Sequence, residues 1–341
     1  MRYIKIFTVM IVAILISFLL HAYFTSSVEN DSQQKRVINV YTSLPAEIVA
    51  CLAEEFERTN NVKINFILFS DKEALLNKIR GTNEEKVELV LTDSLLLDEA
   101  KTDQKLENYV SEQTDLLNDR FKDEHGFWQG VWYDPIVFCI NYDYLKLTEQ
   151  NISGWNDLYK DNKIRIGVVD VMASSAAANL YFTLVSQYGE DDAIKLLQKI
   201  HARVVQYSKY LATPVRMAGM REVDLAISVQ SEIVRYMQDG FPVKIIYPEE
   251  GTSYLLTAVG LLKNADNKYD AKIFIDWLLQ DGAQMSLQKN NIFYMPTNQT
   301  GLAYKTINID NVKLLDNKLG NKPDVQNRLM NRWIKEVRLS N

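Results

Sequence analysis

Residues 247–263 read YPEEGTSYLLTAVGLLK. Pro248, Glu249, Glu250 and Gly251 make a polar turn, and Leu255, Leu256, Ala258, Val259, Leu261 and Leu262 follow as a short apolar run. Turn residues ahead of such a run predict a buried strand. Immediately upstream, residues 242–247 predict another strand. Downstream, residues 271–279 (AKIFIDWLL) have the spacing of an amphipathic helix.

The same alternation extends back towards the start of the chain. Residues 37–41, 62–69 and 87–91 read as strands. Ile48, Val49, Leu52 and Phe56 follow the first at helical spacing, and Leu75, Leu76 and Ile79 follow the second. Ser43 is placed to cap the first helix, with Pro45 in its opening turn; Ser70 and Asp71 cap the second, and Gly81 stops it. Strands alternating with helices predict a mainly parallel sheet covered on both faces. Ligands bind such sheets outside the carboxyl ends of the strands, which puts Ser43, Ser70 and Thr92 on one rim. A second unit of the same kind follows. Residues 164–169, 224–229 and 242–247 read as strands, and Ser174 and Ser175 lead into a helix over 176–187. A last helix carries Arg328, Leu329, Trp333, Ile334 and Val337.

With 341 residues the chain is long enough for about two domains. At 47% hydrophobic and 24% charged it supports a buried core, and a net charge of −6 gives no electrostatic case for nucleic acid. The first thirty residues read as a targeting segment. Arg2 and Lys5 precede an uncharged, mostly apolar run over 6–20, with no cysteine after it for lipid attachment. Residues 1–28 are therefore a cleaved signal peptide or a retained anchor. Cys51 and Cys139 stand in apolar surroundings and read as buried free thiols; export leaves a disulfide open. No Gly-x-Ser-x-Gly, His-Glu-x-x-His or phosphate-loop motif occurs, so nothing points to an enzyme.

The PEEGTSY segment at 248–254 resembles a stretch of the bacterial extracellular solute-binding proteins that serve ABC importers. The iron(III)/phosphonate/hexose-phosphate branch is the most similar. WNDL at 155–158, VQYSK at 205–209, AKIFIDWLL at 271–279 and MPTN at 295–298 resemble further segments in the same order, so the likeness spans roughly residues 37–300. It implies an α/β, two-lobe periplasmic-binding-protein fold of type II, with each lobe a mainly parallel sheet flanked by helices and a hinge between them. Lobe one is expected from residues 37–131 plus 263–295, and lobe two from 138–256 plus 296–341. Crossings are expected near 132–137 and 257–262. The implied function is an exported, extracytoplasmic, monomeric receptor that closes on a small polar or anionic solute and delivers it to ABC permease subunits, without a cofactor. A membrane-tethered sensor of the same fold is the alternative.

Trp132 and Tyr133, at the first crossing, line the cleft or pack the hinge. Ser174 and Ser175 touch ligand or cap their helix. Lys209 attracts an anion or sits as surface charge, and Glu249 and Glu250 face the cleft or serve the turn. The chain also departs from the family pattern. Where relatives carry glycines in three anion-binding loops, it reads Ser70-Asp71, Ser174-Ser175-Ala176-Ala177 and Tyr210-Leu211. Glycine lets backbone amides approach an anion closely. The expected ligand is therefore neutral or carries one negative charge. Iron-binding members use adjacent tyrosines, and no Tyr-Tyr pair occurs here, so no metal is expected.

Overall fold

The computed structural model describes residues 36–81, 86–148, 151–160, 163–307, 312–320 and 322–340; the leader lies outside them. Among the described residues eleven strands form one continuous sheet. In chain order they are β1 (Arg36–Thr42), β2 (Val62–Leu68), β3 (Leu89–Asp93), β4 (Leu106–Glu107), β5 (Trp128–Asn141) and β6 (Ile166–Val169). The rest are β7 (Val204–Ser208), β8 (Leu225–Val229), β9 (Val243–Ile246), β10 (Tyr254–Leu262) and β11 (Met295–Pro296). The main path runs β2-β1-β3-β10-β5-β8-β6-β7.

The first lobe is built on parallel pairing of β1 with β2, in register from Arg36↔Val62 to Thr42↔Leu68, and of β1 with β3. Alternation in β1 turns Ile38 and Val40 to one face and Tyr41 to the other. Helix Ala46–Asn60 covers the first face with Ile48, Leu52 and Phe56, and helices Lys268–Leu278 and Asp281–Lys289 pack beside it. Phe56 meets Phe274 and Trp277 edge-on at 4.9 and 5.1 Å. Full burial of each such ring contributes about 1.5–3 kcal/mol. Helices Lys72–Arg80 and Ser94–Thr102 cover the opposite face.

In the second lobe β6 pairs in parallel with β7 and β8. Helices Ser175–Tyr188, Glu190–His201 and Pro323–Trp333 pack on one side, and Ala212–Gly219 and Gln230–Gln238 on the other.

β5 joins the two lobes. It is 14 residues long and buried throughout. Residues 128–135 pair antiparallel with β10, and residues 136–140 pair with β8. The return crossing lies upstream of the expected 257–262, because that stretch of β10 already pairs with β3 in the first lobe. The chain crosses between β9 and β10, through Pro248 and the positive-φ Gly251. A third connection runs alongside. Thr252 N–H donates to the Lys313 carbonyl at 2.9 Å and Leu315 N–H to the Thr252 carbonyl at 2.8 Å, and Lys318 N–H then reaches Ser186 Oγ at 3.0 Å. Ahead of it, Tyr304, Val312 and Leu314 pack on the first-lobe cluster. That part of the expected second-lobe segment therefore sits with lobe one.

Both cysteines are buried and free. Among the described residues no helix is long and apolar enough to cross a membrane.

Candidate functional site

A cavity of about 290 Å³ opens between the lobes. From the first lobe, Asp93 ends β3 and caps helix Ser94–Thr102 by accepting from Leu96 N–H at 3.0 Å, while pairing with Lys72. Ser94 adds a hydroxyl to the wall. Asp98 lies one turn further on and accepts from Trp128 Nε1 at 2.8 Å; burial pushes its carboxyl above the usual range. From the second lobe come Ser175 and Asn179, four residues apart and so on one helix face. Tyr254, Leu255 and Leu256 form the apolar floor where β10 begins.

Arg120 closes one end of the cavity. It donates to the Leu314 carbonyl at 3.1 Å and to Asp316 at 3.4 Å, and Tyr254 Oη donates to the same carboxylate at 2.7 Å. Both cations of the lining, Lys72 and Arg120, thus face carboxylates already. What the walls offer a ligand is hydroxyl, amide and ring surface and the carboxyl of Asp98 rather than net positive charge.

The residues singled out from the sequence are distributed as follows. Ser175 lines the cavity, and Ser174 stands behind it, capping Ala176 N–H at 3.2 Å. Thr92 is fully buried beside Asp93 and lies 2.6 Å from Ser43, hydroxyl to hydroxyl. Ser43 is therefore not the cap expected of it. Helix Ala46–Asn60 starts after Pro45 with no side-chain cap, because Ser43 is drawn across to β3. Ser70 is exposed, and Asp71 caps its helix through Glu73 and Ala74 N–H at 3.1 and 3.3 Å.

Trp132 and Tyr133 are buried on opposite faces of β5. Trp132 stacks on Tyr294 with centroids 5.6 Å apart, and Tyr133 stacks on Phe121 at 4.8 Å. Lys209 is exposed, its ammonium 5.3 Å from the Tyr210 ring centre. Glu249 is exposed. Glu250 accepts from Trp155 N–H at 3.1 Å and from the Asn156 side chain at 3.1 Å, holding the short helix Trp155–Tyr159.

Sequence reasoning misses Lys72, Asp93, Ser94, Asp98, Asn179 and Tyr254. Three of them carry a readable signal. Asp93 and Ser94 directly follow Thr92, and Asn179 follows Ser175 at helical spacing.

On another face of the crossing, the buried Asp134 accepts from Ser231 N–H at 3.0 Å and Oγ at 2.6 Å. Burial pushes its carboxyl up to about 7, against the pull of the Ser231 hydrogen bonds. Neighbouring Glu232 is raised by burial as well. Among the described residues no group of three or more His, Cys, Asp or Glu is placed to hold a metal ion.

Solved structures share this architecture. The periplasmic binding protein AfuA from Actinobacillus pleuropneumoniae, with exogenous fructose-6-phosphate bound, is 26% identical, with 90% of this chain and 100% of that chain covered and a TM-score of 0.68. A Bordetella ferric binding protein is 14% identical, with 88% and 99% covered and a TM-score of 0.74. The spermidine/putrescine-binding periplasmic protein of Salmonella typhimurium is 19% identical over 308 residues, 84% of this chain and 83% of the relative. These relatives are binding proteins, and their type II fold with two lobes is the fold found here. Residues 84–318 match the family described as bacterial extracellular solute-binding protein, and with more than half of its length inside that match the chain belongs to this family.

Proposed function

We propose that the protein is the substrate-binding component of an ABC importer and holds its solute in the cleft cavity between the lobes. The observation that carries this reading is the origin of the cavity walls. Asp93 and Ser94 come from the first lobe, Ser175 and Asn179 from the second, and Tyr254 from the strand between them. A solute that bonds to both walls stabilises the closed form by its extra affinity for that form. A membrane permease then receives it. The moving units are proposed as residues 37–131 with 254–314, and 138–246 with 318–340, turning about β5, the 247–253 crossing and the 315–317 connection. The solute is neutral or carries one negative charge, because Lys72 and Arg120 already face Asp93 and Asp316. Ser43, Thr92 and Ser174 act by positioning the rim.

The test is a thermal-shift screen of the protein against sugars, organic anions and inorganic anions, with calorimetry on any hit. At about a hundred times its dissociation constant the solute should stabilise by roughly 2.7 kcal/mol. Ser175→Tyr, which fills the cavity from the second lobe, should abolish the shift. A screen in which every hit stabilises wild type and Ser175→Tyr equally would place the solute elsewhere.

A further inference from the structure

A second cavity, of about 400 Å³, lies behind β5. Its polar lining is made of Arg120, Asn118, Gln299, Tyr133 and Tyr304, and all five side chains can donate hydrogen bonds. No carboxylate contributes to it among the described residues.

Asn118, Tyr133 and Arg120 are held in place, and Gln299 is exposed. Asn118 Oδ1 accepts from Arg120 N–H at 3.1 Å, which leaves the Asn118 amide hydrogens for the cavity. Tyr133 is 3% exposed and stacked on Phe121. Burial, with the Tyr304 phenol beside it, raises its phenol, so it stays protonated; of two phenols facing each other one hydrogen is left for a ligand. Arg120 has five N–H groups, and its contacts to Leu314 and Asp316 use only part of the fork.

We propose that this cavity is a second binding site, for a small oxyanion: a carboxylate or a phosphate group. A guanidinium with amide and phenol donors around it matches several acceptor atoms carrying negative charge, and charge-assisted bonds to Arg are the strong ones. A cation would meet the Arg120 guanidinium, and among the described residues the acid that faces it, Asp316, lies outside the lining of this cavity. The site shares Arg120 with the cleft cavity but no other lining residue.

The experiment is calorimetry on the full chain with inorganic phosphate and, separately, with succinate. Arg120 lines both cavities, so variants that touch only one of them decide the outcome. Wild type should bind one of the two anions saturably. Tyr304→Phe and Gln299→Leu should each weaken binding, and Arg120→Leu should weaken it by at least about tenfold, the loss of a charge-assisted bond. Ser175→Tyr should leave it unchanged. Absence of binding of either anion at millimolar concentration would overturn the proposal. So would binding that survives Tyr304→Phe and Gln299→Leu at full strength but fails in Ser175→Tyr, because the anion would then sit in the cleft. If Arg120→Leu does not fold, the other two variants still decide.

Discussion

The side-chain amide of Asn179 donates to the carbonyl oxygen of Tyr254 at 2.9 Å. The donor belongs to a second-lobe helix and the acceptor to the first residue of β10, which pairs inside the first lobe. Asn179 Oδ1 also accepts from Asn317 at 3.2 Å, so one side chain ties the start of β10 to the 315–317 connection.

Asn179→Ala should therefore act on binding more than on folding. It removes a polar group from the cleft wall and frees the start of β10. We expect solute affinity to fall by about tenfold, or roughly 1.4 kcal/mol, with a melting temperature within a few degrees of wild type. Calorimetry with the solute found by screening reads the first effect and a thermal melt the second. Equal affinities in the two proteins would remove Asn179 from the site.

Gly251 is required by its own geometry. Its φ is +105°, and a Cβ there would stand 2.8 Å from Leu315 Cγ and 2.9 Å from the Lys313 carbonyl oxygen. Gly251→Ala should cost on the order of 1–3 kcal/mol from the backbone alone, with the collision adding to it. Urea unfolding measures this; an unchanged midpoint would mean that the 313–315 segment yields freely.

Asp71 occupies the amides that an anion would otherwise use at the start of helix Lys72–Arg80. At an N-cap, glycine costs only a few tenths of a kcal/mol relative to aspartate. Asp71→Gly should thus leave stability nearly intact while raising affinity for anions by about tenfold, if roughly 1.4 kcal/mol of repulsion is removed. Titration of wild type and variant with a phosphate ester checks it. Micromolar binding by wild type that Ser175→Tyr abolishes and Asp71→Gly leaves unmoved would show that the loop lies outside the site.

Asp134 gives stability a defined pH dependence. Its carboxyl sits at about 7 in the fold against an ordinary 3.8. Between those values the folded chain keeps a proton that the unfolded chain has lost. The contribution of this group is thus favourable at low pH, declines as pH rises through that window, and is level above it. Asp134→Asn, which keeps an acceptor and a donor for Ser231, should match wild type near pH 4 and exceed it above pH 7. The ceiling is about 4 kcal/mol at 1.36 kcal/mol per pH unit. Denaturant midpoints across pH 4–8 test the sign, and parallel curves would count against it.

The periodic parts of the fold were legible because they are local. Ile48, Val49, Leu52 and Phe56 recur at helical spacing, and all four are buried. Asp71 as a cap is likewise a matter of neighbours two and three residues away. What the sequence could not display is competition between distant partners. Ser43 looks like a cap until Thr92, 49 positions later, is folded against it. Glu250 looks like free charge in a turn, yet its partners at Trp155 and Asn156 are 95 and 94 positions earlier. The cleft lining has the same character, since Asp93 and Asn179 become neighbours of one cavity only after β5 and β10 have set the lobes side by side.

β5 also limits how the chain can change in length. Trp132 and Tyr133 enter opposite first-lobe clusters, and Phe138 and Cys139 enter opposite second-lobe clusters, all from this one strand. Side chains alternate along β5 beyond the register shift at Val131, so a single residue inserted between Tyr133 and Ile136 and not taken up in a bulge would send Cys139 to the Phe138 side and Phe138 to the Cys139 side. Loops elsewhere can gain or lose residues one at a time; here a single extra residue is tolerable only where a bulge absorbs it, as at Val131.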